Sequence, residues 1–187
     1  MRLKVFKTKV FALIEELSPN SPYLTDDADL QAKINEVTNQ RMYELARIKK
    51  IPKYVEIKVS KGDLLDFNAI EGNCGYAVYQ LNKVSGVSYL PKADGTVLKI
   101  LEDGTAEVEV YVYPDRITEK DKDTSYEIEL DADAIEVMVY GVAADLLLAD
   151  VSANYGNAYA QKYLELKQGL DPRHQMPTIY VDGGVDF

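Results

Sequence analysis

Apolar residues recur at three- and four-residue intervals at the start of the chain. Leu3, Phe6, Val10, Leu13, Ile14 and Leu17 line one side, which predicts an amphipathic helix over residues 3–17. The run Ser18-Pro19-Asn20-Ser21-Pro22 ends it, because Pro and Asn/Ser clusters favour turns. A second helix is predicted from Asp26 or Asp27, either of which can cap free backbone N–H groups, to about Lys50. Its stripe is Leu30, Ile34, Val37, Leu45 and Ile48, interrupted by Arg41. Lys49 and Lys50 suit the negative end of the helix dipole, and Pro52 stops the helix.

From Tyr54 the period changes from helical to alternating. Val55, Ile57 and Val59 share one strand face, with Glu56 and Lys58 on the other. Residues 76–81 and 84–90 are further strand candidates. Asp94-Gly95-Thr96 and Asp103-Gly104-Thr105 flank VLKIL and precede AEVEVYVYP, and an Asp-Gly pair between alternating runs predicts a hairpin. Residues 115–125 read as a charged, mobile loop, and YEIEL as one more short strand.

Two helices follow. The first, over residues 134–149, takes Asp133 as its cap with Glu136 three residues later, as in a capping box. It is apolar nearly all round, with only Glu136 and Asp145 charged, and is therefore predicted to be the buried centre of the fold. An unpaired carboxylate there would cost several kcal/mol, so Asp145 needs a Lys or Arg partner from another element or subunit. Ser152 caps a helix to Gln168, with Tyr155, Tyr159, Tyr163 and Leu166 along one side; Gly169 stops it. The fold class is thus α+β: an antiparallel helical core of about four helices (residues 1–53 and 131–170) and an inserted antiparallel β-rich module (residues 54–130). Residues 171–187 form an extended C-terminal arm.

Composition narrows the class of function. The 187 residues carry a formal charge of −10, from 31 acidic and 21 basic residues, which opposes tight binding to a phosphate backbone. One cysteine excludes an internal disulfide, and one histidine with one cysteine cannot build a Cys–His zinc site. The basic, then apolar N-terminus is broken by Lys7 and Lys9 and has no small-residue cleavage site, so it reads as part of the mature fold of a soluble, cytoplasmically made protein with no membrane segment. There are 14 tyrosines and no tryptophan, and tyrosine suits partly wet interfaces.

No chemistry-bearing constellation emerges. His174 sits between Arg173 and Gln175 without a nucleophile elbow, and Cys74 lies on a glycine-flanked stretch without a basic neighbour to lower its pKa. Asp26, Asp27 and Asp29 are explained by a helix start, and Gly183-Gly184 has neither the lysine nor the following helix of a phosphate loop. No catalytic residue, cofactor or metal site is expected, and the chain reads as a structural protein and not an enzyme.

Three stretches carry a resemblance: the apolar helix ending VYGVAADLLLAD, the following SANYGNAYAQKYLELKQGLDPR, and the terminal IYVDGGVDF. Together they resemble the head–tail connector (adaptor or neck) proteins of tailed bacteriophages, and LSPNSPYLTDDADLQAKINEVTNQRMYELARI looks like the first long helix of the same helical core. The resemblance implies a ring, commonly dodecameric, docked under the portal protein and bridging to a tail or tail-completion protein. DNA would pass through it without sequence-specific binding, and the subunit would reside in the virion neck after assembly in the bacterial cytoplasm. The β-rich insertion is a departure from the smallest connectors, so a neighbouring neck or tail-completion protein is the near alternative. A β-sandwich module recognising carbohydrate or a host surface, through Tyr111 and Tyr113, is the alternative of a different class. The candidate partner-binding residues are Ile179, Tyr180, Val181 and Phe187 in the arm. Pro177 sets an extended entry there, and the four residues from Thr178 have strand propensity but no nearby strand.

Overall fold

The structure, a computed structural model, describes residues 1–15, 28–92, 96–118, 123–147 and 154–172. Its first half runs α1 (Leu3–Leu13), α2 (Ala28–Lys49), β1 (Pro52–Val59), β2 (Leu64–Leu65), α3 (Phe67–Cys74) and β3 (Val78–Ser85). Then come β4 (Tyr89–Lys92), β5 (Val97–Ile100), β6 (Gly104–Val112), α4 (Ala132–Leu147) and α5 (Asn154–Gln168). The architecture is α+β, with five helices and two small antiparallel sheets among the described residues.

The helices follow their apolar periodicity. Leu3, Phe6 and Val10 of α1 are fully buried, as are Ile34, Met42, Leu45 and Ala46 of α2. α4 buries ten of its residues and packs against α1, α2 and α5, which makes it the central helix that its composition predicts. It begins at Ala132, ahead of the expected cap. Asp133 lies in its first turn and accepts from Lys49 at 2.8 Å, while Glu136 pairs with Lys9. The expected capping box is therefore replaced by two ion pairs that tie α4 to α2 and α1. The caps expected at Asp26, Asp27 and Ser152 lie outside the described residues.

β6 is the centre of the larger sheet, ordered β1-β6-β3, and the smaller sheet is ordered β2-β5-β4. The hairpin expected at Asp103-Gly104 does not form, because β5 and β6 belong to different sheets. Asp103 instead accepts from the backbone N–H of Lys61 at 2.7 Å, and Gly104 pairs with Val59. The Asp-Gly pair thus marks a crossing between sheets, a job that needs the same residue types as a tight turn. The strands expected at 76–81 and 84–90 are β3 and β4, whose bounds are shifted, and β3 carries two register shifts against β6.

Helix α3 was not expected. The Asp66 side chain accepts from Ala69 N–H at 2.8 Å at its start, and Gly75, at φ 75°, supplies the left-handed residue that closes it. Cys74 is its last residue, half-buried, with its Sγ donating to the Tyr76 carbonyl at 3.4 Å.

Residues 113–118 and 123–130 return to the helices. YEIEL forms only a single bridge, Glu127 with Arg2, and not a strand. Leu3 N–H donates to the Tyr126 carbonyl at 2.9 Å and Ile128 N–H to the Met1 carbonyl at 2.8 Å, so this segment satisfies backbone groups at the start of α1. The described parts of the loop expected to be mobile are pinned. Asn39 exchanges two hydrogen bonds with the Ile117 backbone, at 2.8 and 2.9 Å, and buried Lys7 meets Asp123 at 2.9 Å. One buried apolar cluster draws from α1, α2 and α4 and from both sheets.

Candidate partner-binding site

Ile179, Tyr180, Val181 and Phe187, together with His174 and the Gly183-Gly184 pair, lie outside the described residues. The approach to them is described. Lys167, near the end of α5, donates to Glu44 at 2.7 Å, on the half of α2 that leads into β1.

Between α2, α4 and α5 lies a polar cluster. Arg41 donates twice to Asp145, through Nε and Nη2 at 2.6 Å each, and through Nη1 to Glu44 at 2.8 Å. The planar fork of a guanidinium suits this two-point contact. Tyr163 Oη donates to Glu44 at 2.7 Å, and the Tyr163 ring lies 4.6 Å under the Arg41 guanidinium. Burial opposes ionisation of Glu44, but donors on Lys167, Tyr163 and Arg41 outweigh it and hold the carboxyl at about 2. Burial, with the Glu44 carboxylate beside it, pushes the Tyr163 hydroxyl well above its ordinary range. Each charge is answered inside the cluster, so its chemistry is that of a clamp on three helices. It also meets the requirement placed on Asp145, since the partner is an arginine of another element. The missed signal was Arg41 itself, a charge inside one apolar stripe that matches a charge inside another.

A row of tyrosines joins α2 to the larger sheet. Ring centroids are 4.8 Å apart for Tyr43 and Tyr113, 4.8 Å for Tyr79 and Tyr113, and 6.4 Å for Tyr79 and Tyr111. Tyr79 Oη donates to the Ala46 carbonyl at 3.0 Å, in the last turn of α2, as a second donor beside Lys50 N–H at 2.9 Å. Burial, with Tyr113 and Tyr111 beside it, raises the Tyr79 pKa to about 12. Arg47 donates to Tyr113 Oη at 2.6 Å, and the Lys50 ammonium lies 5.6 Å from the Tyr111 ring. Tyr111 is 9% exposed and Tyr113 half-buried, so both are spent on this contact and do not form an exposed aromatic face. Among the described residues the exposed tyrosines are Tyr54, Tyr89 and Tyr155.

A shallow groove of about 370 Å³ lies between α1 and α4, lined by Lys9, Ala12, Leu13, Glu136, Val139 and Tyr140. No group of three or more His, Cys, Asp or Glu side chains among the described residues could hold a metal ion. No described helix is long and apolar enough to cross a membrane. Comparison of the chain with known protein families and with curated proteins finds no match in either.

Proposed function

We propose that the chain is a structural head-to-tail connector (adaptor) subunit of a tailed phage, forming a ring under the portal that bridges head and tail and lets DNA pass. One observation carries the reading. The segment that resembles connectors, residues 131–173, supplies α4 and α5, and α4 is the helix on which α1, α2 and α5 all pack. Two polar residues of that segment, Asp145 and Tyr163, are spent locking the helices together. A subunit built this way is rigid at its centre and offers surfaces, which is what a ring member requires.

In this reading the neighbours are further copies of the chain, the portal protein above and a tail or tail-completion protein below. The net charge of −10 lets a duplex pass without sticking. The arm, with Ile179, Tyr180, Val181 and Phe187, is the attachment to a partner, and the two small sheets decorate the outside or lower face of the ring. The site is the neck of the virion.

Native mass spectrometry of the purified chain tests the reading. A closed ring, commonly twelve subunits in connectors, is the expected result, whether formed alone or on purified portals. A strict monomer that also fails to attach to portal-bearing heads would sink it. A chain lacking residues 176–187 should keep the melting behaviour of the free protein and lose attachment.

A further inference from the structure

We propose that the outer face of the β2-β5-β4 sheet is a dock for residues 176–187 of a neighbouring copy, an inference that rests on the ring reading. Side chains paired across antiparallel strands share a face. Leu65 and Leu98 pair on the inner face, and both are buried with Ile100. On the opposite face Lys99 pairs with Leu64 on one side and with Leu90 on the other. Leu64 is 59% exposed, Leu90 52% and Leu101, two residues beyond Lys99, 42%. A sheet that is apolar on both faces is one that is covered on both. Three of the eight large apolar side chains exposed among the described residues, Leu64, Leu90 and Leu101, gather on this one face, so the patch is not a scatter of single residues.

The face and not the edge receives the partner. β4 is an outer strand, and it carries Pro91 and Lys92, which blunt a free edge against strand addition. The face also sets the chemistry of its occupant. Lys92 and Lys99 have no carboxylate within ion-pair distance among the described residues. The occupant is therefore apolar and acidic. Residues 176–187 read MPTIYVDGGVDF, with Ile179, Val181 and Phe187 for the leucines, Asp182 and Asp186 for the lysines, and no Lys or Arg. Fifteen residues beyond Pro172 span at most roughly 50 Å, enough to leave one subunit for the next. A closed ring needs two different complementary patches on each subunit, and tail and leucine face supply such a pair.

Three chains test this by sedimentation velocity: the full chain, the double variant Leu64→Ser/Leu90→Ser, and a chain ending at Pro172. The full chain should self-associate, and each variant alone should be monomeric with an unchanged far-ultraviolet spectrum. An equimolar mixture of the two variants should give a one-to-one dimer, because each retains the half that the other lacks. Variants that associate as the full chain does would leave the ring reading intact and overturn the dock. A mixture that stays monomeric overturns it too. A fluorescent peptide of residues 174–187 separates the two ideas if the full chain itself proves monomeric. Peptide binding to the chain ending at Pro172 that falls at least tenfold with Leu64→Ser/Leu90→Ser keeps the dock while the ring reading fails. Equal binding to both chains overturns the dock.

Discussion

Arg41 on α2 holds Asp145 on α4 through two hydrogen bonds of 2.6 Å, across 104 residues of sequence. Neither side chain is more than a quarter exposed. Each would be a defect in its own apolar stripe, and together they let the two helices close without stranding a charge.

That geometry makes the Asp145→Asn variant informative. The amide keeps the shape but cannot satisfy the guanidinium fork, and a charged group left with half its partners costs more than a neutral one. The expected loss is about 2 kcal/mol by urea denaturation, roughly 4–8 °C in melting temperature for a chain of this size. Stability indistinguishable from the parent would mean that Glu44 alone suffices for Arg41.

Glu44 gives the clamp a pH dependence. Its carboxyl is held at about 2 in the folded protein against an ordinary 4.5, so the unfolded chain takes up the proton first. Its contribution is therefore whole above 4.5 and is lost as pH falls from there toward 2. Urea midpoints measured from neutral to acid pH should fall through this window. The Glu44→Gln variant should be less stable at neutral pH and should fall less steeply. A parallel pair of curves would place the acid sensitivity elsewhere.

Gly141 lets α5 approach α4. A Cβ on it would stand 2.8 and 2.9 Å from the Tyr163 ring and 3.3 Å from Arg41 Cδ. Gly141→Ala should cost about 1–3 kcal/mol through overpacking, although alanine favours helix more than glycine does. Combined with Tyr163→Leu, the same substitution should cost much less than it does alone, because the obstructing ring is gone. Additive losses in that cycle would show that the clash is relieved by backbone movement.

The parts that were legible in the sequence, and the parts that were not, divide by the range of the forces involved. The apolar character of α4 is a local property, and burial follows from it directly. The need of Asp145 for a cationic partner was also legible, since a buried charge must be answered, but the identity of Arg41 is a tertiary fact. Helix α3 was hidden because its caps, Asp66 and Gly75, look like turn residues and only Ile70 along its length is fully buried. The Asp103-Gly104 crossing was misread because a turn and a sheet switch use the same small residues. YEIEL alternates like a strand, yet its partner is the N-terminus and not a neighbouring strand. For the partner-binding residues, Ile179, Tyr180, Val181 and Phe187, pattern alone names them; what they touch depends on other surfaces.

The contacts of residues 113–130 bear on how separable the sheets are. Replacing residues 54–130 by a short linker would preserve the apolar stripes of α1, α2 and α4. It would also remove Tyr126 and Ile128, which bond the first residues of the chain, and Ile117, which satisfies buried Asn39. The shortened chain should keep helical circular dichroism but lose its sharp urea transition. A cooperative transition in that chain would show that the helices form a self-sufficient core.

The larger sheet carries a like-charge contact that tests its register. Glu56 on β1 stands directly opposite Glu107 on β6, and both are exposed. Glu107 accepts from Ser85 Oγ at 3.2 Å, which steadies its position without neutralising it. Side chains directly opposite across antiparallel strands come within about 5 Å, where like charges repel and opposite charges attract. β1 is an outer strand, so Glu56 can be exchanged without disturbing a second partner strand. Glu56→Lys should therefore stabilise the protein by about 0.2–1 kcal/mol, with Glu56→Gln giving a smaller gain. The gain should shrink in roughly 0.5 M salt, because exposed charges are screened within a few ångströms there. Lys58→Gln, at a position that pairs with the uncharged Thr105, should give no comparable gain. A loss of stability on Glu56→Lys at low salt would mean that β1 and β6 are not paired in this register, since a shift of one residue would turn Glu56 toward the core face.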